Sequence, residues 1–158
     1  MSDTIQVVSF RLGSEEYGVD IAQVQEINRM VAITHVPRAP QFMEGVINLR
    51  GQLIPIIDLR ARFGMPRAEH TKNTRIVVTE IGSKRVGMVV DSVSEVLRLP
   101  VEQIEAAPDM IAGVDTEYIR GVGKIEHRLI ILLDLAKIIT GSEKRELEST
   151  DVEATAAA

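Results

Sequence analysis

Hydrophobic positions in this chain come in short runs of about four to seven residues, broken by glycine, proline and charged side chains. Gln6 to Leu12 alternates apolar and polar residues, Gly13 to Glu16 reads as a turn, and Tyr17 to Ile21 resumes the pattern. A period of two is that of a strand with one buried face. Val46 to Leu49 and Gln52 to Ile57 are separated by Arg50-Gly51, a two-residue hairpin signal with glycine where positive φ is needed. The aliphatic residues are 18 Val and 18 Ile against 11 Leu. Branching at Cβ restricts χ1 and suits a pleated strand better than a helix. The pattern therefore predicts a mainly β fold with short helical pieces at Pro40 to Glu44, Leu59 to Phe63, Val101 to Ile104 and Leu135 to Ile139.

The pattern also repeats. Displaced by 69, residues 6–30 lie on 75–99 with seven identities in 25, including Gly13 with Gly82, Gly18 with Gly87, Val24 with Val93 and Glu26 with Glu95. Displaced by 76, residues 45–63 lie on 121–139, matching Gly45, Val46, Leu53, Ile54, Asp58 and Leu59 to Gly121, Val122, Leu129, Ile130, Asp134 and Leu135. Composition alone does not reproduce glycine, glutamate and aspartate in one order. Two copies of a small all-β unit follow, at about 5–63 and 74–139, within a single domain over 4–141. Each copy is near the lower size limit for a core of its own, so the two are expected to share a third core. The strand from Ile5 to Leu12 can complete the other copy by crossing over. Residues 142–158 read as a polar tail, partly helical in EKRELE or disordered.

Composition narrows function by exclusion. The net charge is −5 with no basic run, which argues against a phosphate-neutralising nucleic-acid surface. There is no cysteine, so disulfides, thiolate metal sites and a cysteine nucleophile are out. The longest apolar stretches are about five residues, far short of the ~20 of a membrane-spanning helix. The N-terminus lacks a signal-peptide pattern, so a cytoplasmic location is expected.

Candidate chemistry is sparse. His35, His70 and His127 are scattered, with no metal-ligand spacing. His127 takes the place of Gly51 in the repeat, which predicts a turn and positive φ. Asp58 and Asp134 each end an apolar run before Leu and are better helix N-caps than catalytic carboxylates. No catalytic residue, metal or cofactor is expected. What remains is surface: the repeated V-x-E-[IV] places Val24, Glu26, Val93 and Val96 on strands, and alternation puts Val24 and Glu26 on one face.

The stretches EEYGVDIAQVQEI, GVINLRGQLIPIIDLR and GMVVDSVSEVL resemble the CheW family of bacterial chemotaxis coupling proteins, in order over about Val7 to Ile139. The resemblance implies two five-stranded barrels, each similar to Src-homology-3 domains, around a shared core. It implies a non-enzymatic adaptor that couples methyl-accepting receptors to the histidine kinase CheA, through the kinase's own CheW-like regulatory domain. Val24, Glu26, Arg50, Val93 and Val96 match the family's receptor-docking positions, and Gly45 matches a position for receptor or kinase binding. Nucleic acid and direct membrane insertion are not expected. The chain ends 19 residues after Ile139, leaving room for a stand-alone adaptor only. An adaptor in surface motility or second-messenger control, or a small-ligand-binding β domain, are the competing readings. The repeat singles out one contact: Glu26 with Arg50 in the first copy, where the second has Glu95 and Glu126, which must turn apart or find Arg98 or Arg128.

Overall fold

The structure, a computed structural model, describes residues 3–38, 43–66, 68–106 and 118–138. The strands are β1 (Thr4–Leu12), β2 (Glu15–Asp20), β3 (Val24–Arg29), β4 (Met43–Leu49), β5 (Gln52–Asp58), β6 (Arg75–Ile81), β7 (Lys84–Val90), β8 (Ser92–Pro100), β9 (Ile104–Glu105), β10 (Ile119–Ile125) and β11 (Arg128–Leu133). Two single-turn helices, α1 (Leu59–Arg62) and α2 (Leu135–Ile138), follow β5 and β11. Asp58 caps α1, its Oδ1 accepting from the Arg60 N–H at 2.9 Å. Before α2 it is the Asp134 carbonyl that accepts, from Lys137 and Ile138, both at 3.1 Å.

One sheet has the order β8-β1-β2-β11-β10-β9 and the other β3-β6-β7-β5-β4. The division into barrels over 5–63 and 74–139 is therefore corrected. Each sheet takes a hairpin from one sequence copy and the remaining strands from the other. Not β1 alone but the whole β1–β2 hairpin crosses over, and β6–β7 returns the exchange. Each exchanged hairpin joins its host on both sides, by the antiparallel pairs β1 with β8 and β3 with β6 and by the parallel pairs β2 with β11 and β5 with β7; the remaining named pairs are antiparallel. Both sheets then close in the same way. The chain beyond β3 reaches the far edge, where Thr34 and Val46 exchange backbone hydrogen bonds at 2.8 and 2.9 Å. The chain beyond β8 does so through β9, with Glu105 opposite Val122. Closure removes the unpaired edges that promote aggregation.

β1 and β6 are buried on both faces, one toward a barrel core and one toward the core between the barrels. Val7 lies with Leu99, Ile130 and Leu132 in one barrel. Ile76 and Val78 lie with Ile47, Ile54, Ile56 and Val89 in the other. The alternate residues, Val8, Phe10 and Leu12 from β1 and Val77 and Ile81 from β6, meet in a third, larger core between the barrels. Through that core runs a stack of Phe10, Tyr17, Phe63 and Tyr118, with centroids 5.9, 5.9 and 6.0 Å apart. Gly18 and Gly87, identical in the repeat, face the barrel interiors. A Cβ would lie 3.1 Å from Ile130 at the first and 2.5 Å from Ile56 at the second.

Among the helical expectations, 59–63, 101–104 and 135–139 coincide with α1, a 3-10 turn at Val101–Gln103, and α2. The piece at 40–44 does not: Met43 and Glu44 are already in β4, and 40–42 lie outside the described residues.

Candidate partner-docking surface

The β4–β5 turn is tight because both of its residues have positive φ, +52° at Arg50 and +85° at Gly51. That geometry matches the right-handed twist of the flanking strands. The Asn48 side chain steadies it, accepting from the Gly51 N–H at 2.9 Å. Positive φ is costly for arginine, and residues so held concentrate at functional sites. Here it lifts Arg50 into solvent, 72% exposed, where its Nη2 donates to Glu26 Oε2 on β3. The anticipated pair is thus formed. Hydrogen bonds from Arg50, and then from Asn28, hold the Glu26 carboxyl below its usual pKa. In the second copy it is Glu126, not His127, that takes positive φ, +53°.

A β-bulge changes the expected faces. In the β3–β6 ladder Val24 lies opposite Thr79, yet Glu26 lies opposite Val78. One extra residue at Gln25 reverses the alternation. Val24 therefore shares a face with Ile27, opposite Val77, and Glu26 points to the other side. The second copy reproduces this: Val93 lies opposite Phe10, Glu95 opposite Ser9 and Val96 opposite Val8. Val24 and Val93 are half-buried and pack on the shared core. Their companions extend outward, Ile27 at 40% and Val96 at 52% exposed. Both aliphatic pairs therefore face the seam of the shared core, Val24 and Ile27 from the strand beside β6 and Val93 and Val96 from the strand beside β1.

The polar surroundings of that seam differ in sign. Around Glu26 stand Arg50, Gln52 and Arg85, with Arg85 donating to Gln52. This is one carboxylate against two guanidinium groups, net +1. The repeat-equivalent residues are Glu95, Glu126, Arg128 and Glu16, three carboxylates against one guanidinium, net −2. There Arg128 bridges Glu16 at 2.5 Å and Glu95 at 3.0 Å. Of the two partners anticipated for Glu95, the structure selects Arg128, and its hydrogen bonds to both carboxylates raise the guanidinium pKa.

A family profile for the CheW-like domain matches residues 6–143. The chain belongs to the CheW family. It is 44% identical over 134 residues to the chemotaxis protein CheW of Klebsiella aerogenes, covering 85% of this chain and 81% of that one. It is 40% identical over 141 residues to CheW of Rhizobium meliloti, covering 89% and 90%. Its fold matches the crystal structure of the scaffolding protein TtCheW from Thermoanaerobacter tengcongensis, with a TM-score of 0.82, 36% identity and coverage of 90% and 92%. Like its family, the chain is a non-enzymatic chemotaxis adaptor.

CheW membership directs attention to surface and shape. Gly45 offers no contact surface: it is buried at a bulge in β4. With φ +150°, a Cβ there would strike the Thr34 carbonyl that closes the barrel. Gly121 repeats the arrangement, a Cβ lying 2.9 Å from the Glu105 carbonyl. Of the histidines, His70 Nε2 approaches Glu44 at 3.6 Å. No group of three or more metal-ligating side chains occurs among the described residues, and no helix among them is long and apolar enough to cross a membrane.

Three features escape the sequence reading. The Arg128 bridge to Glu16 is one, although the repeat pairs Glu16 with Arg85 and Gln52 with Arg128, a reciprocal exchange that signals it. The exposed Leu53 and Leu129, equivalent in the repeat, are another. The third is Asp91, which ties three segments together. Its carboxylate accepts from Arg60 Nε at 2.9 Å and Nη2 at 2.5 Å, and from the Gly13 N–H at 2.8 Å.

Proposed function

We propose that Val24, Val93 and Val96 on the seam, together with the Glu26–Arg50 pair at the mouth of the adjoining barrel, dock the cytoplasmic tip of methyl-accepting chemotaxis receptors. A second surface holds the histidine kinase CheA through the kinase's CheW-like regulatory domain. The chain then sits in the cytoplasm at membrane receptor arrays, held there by its partners. The observation that carries this reading is a strained, exposed arginine held by a carboxylate of β3, with partly exposed aliphatic side chains on the opposite face of that strand and on β8. An apolar strip binds a helix, and the planar guanidinium adds directional hydrogen bonds. Gly45 contributes indirectly, by permitting closure of the barrel beneath this surface.

Calorimetric titration of the chain with a purified receptor signalling fragment tests it. Val96→Asp is expected to weaken binding at least tenfold while the melting temperature stays within about 2 °C, since most single surface changes are within ~0.5 kcal/mol. Unchanged affinity would remove Val96 from the docking surface.

A further inference from the structure

The last residue of β3 is Arg29, and its partner across the β3–β6 ladder is Arg75. Like charges directly opposite on an antiparallel pair repel unless something negative joins them. Lys72 adds a third cation. These three, with Met30, Thr71, Asn73 and Thr74, line an open cleft of about 500 Å³. None of the lining residues is acidic, and among the described residues none of the three cations forms an ion pair. By contrast Arg50, Arg60, Arg120, Lys124 and Arg128 all do. The cluster is an island of positive charge on a chain of net −5.

The frame beneath it is built. Thr71 N–H donates to Thr74 Oγ1 at 2.8 Å and Asn73 N–H to Thr71 Oγ1 at 3.1 Å. The Arg75 Nη1 is held by the carbonyls of Lys72 at 2.8 Å and Thr74 at 2.9 Å, which orients the rest of its guanidinium. At the repeat-equivalent position of the other barrel the facing cation is replaced: Arg98 stands opposite Gln6.

We infer that this cleft binds a phosphomonoester or diphosphate group of a small organic molecule. Two guanidinium groups and an ammonium supply the positive charge and the hydrogen-bond donors that a phosphate dianion requires. The volume exceeds what bare phosphate fills and falls in the range of small-molecule sites. The inference is independent of the receptor seam.

The test is titration of the ¹⁵N-labelled full chain with inorganic pyrophosphate and with ADP, followed by amide shifts at constant ionic strength. Saturable shifts are expected at Arg29 and Lys72 to Arg75. Affinity should fall at least tenfold in Arg29→Gln/Lys72→Gln and stay within twofold in the charge-matched control Arg11→Gln/Lys84→Gln. Arg29 and Lys72 are exposed, and retained shift dispersion and melting temperature verify the fold. Glutamate at the same ionic strength should not displace either probe. Non-saturating shifts, equal losses in both double variants, or undiminished binding by Arg29→Gln/Lys72→Gln would overturn the inference.

Discussion

The Arg50 guanidinium donates to the Glu26 carboxylate, joining the β4–β5 turn to β3 across the mouth of one barrel. An exposed pair of this kind adds only ~0–1 kcal/mol to stability. Its effect is to aim Arg50. Glu26→Ala and Arg50→Ala, alone and together, should therefore lower the melting temperature by no more than about 4 °C, using ~2–4 °C per kcal/mol for a chain this size. In receptor affinity the two changes should be non-additive, with the double variant little worse than Arg50→Ala. Additive losses in a double-mutant cycle would separate the residues functionally.

The valines of the seam divide by depth. Val24→Met and Val93→Met insert a longer side chain against the shared core and should cost about 1–3 kcal/mol of stability in addition to any binding loss. Val96→Met, on a residue already half in solvent, should leave the melting temperature nearly unchanged. Thermal unfolding of the three variants beside their receptor affinities distinguishes the two kinds.

The duplication is legible in the sequence because Gly18 and Gly87 must both leave room for barrel-core side chains, and Gly45 and Gly121 must both pass beneath a closing carbonyl. The Glu26–Arg50 contact is legible because the second copy replaces the arginine with glutamate. The hairpin exchange is not, because an apolar strand pattern says how β1 is buried and does not say which copy supplies its neighbours. The side to which Glu26 points is not legible either, since a single bulge residue reverses an alternation that otherwise holds. Asp91 gives no signal at all: its repeat counterpart is Ala22, so its tie to Arg60 and Gly13 exists in one place only.

Gly45→Ala tests barrel closure. The added Cβ meets the Thr34 carbonyl and the Ile33 side chain, and the backbone there has positive φ. A loss of about 2–4 kcal/mol is expected from strain and displaced backbone hydrogen bonds. Gly51→Ala, with nothing near its Cβ, should cost only about 1 kcal/mol for its φ. Chemical denaturation of the two variants supplies the comparison.

Asp91 predicts an acid limb. Hydrogen bonds from Arg60, together with the Gly13 N–H, hold its carboxyl below the ordinary value of 3.8 against the opposing effect of burial. A carboxyl depressed in the folded state contributes stability that is fully present above its unfolded pKa and lost as pH falls through the folded one. Asp91→Asn should be about 1–2 kcal/mol less stable at pH 7, roughly 2–8 °C in melting temperature. The gap to the unsubstituted chain should close below about pH 3.8. A gap independent of pH would assign the loss to shape alone.

In the proposed function one chain holds a receptor and a kinase together. Co-sedimentation of purified CheA with receptor signalling domains on vesicles measures this directly. The kinase is expected to enter the pellet in proportion to added chain, and Arg50→Ala/Val96→Asp, folded as judged by its melting temperature, should abolish most of that recruitment. Kinase sedimenting equally without the chain, or receptor and kinase competing for it, would rule out a bridging adaptor.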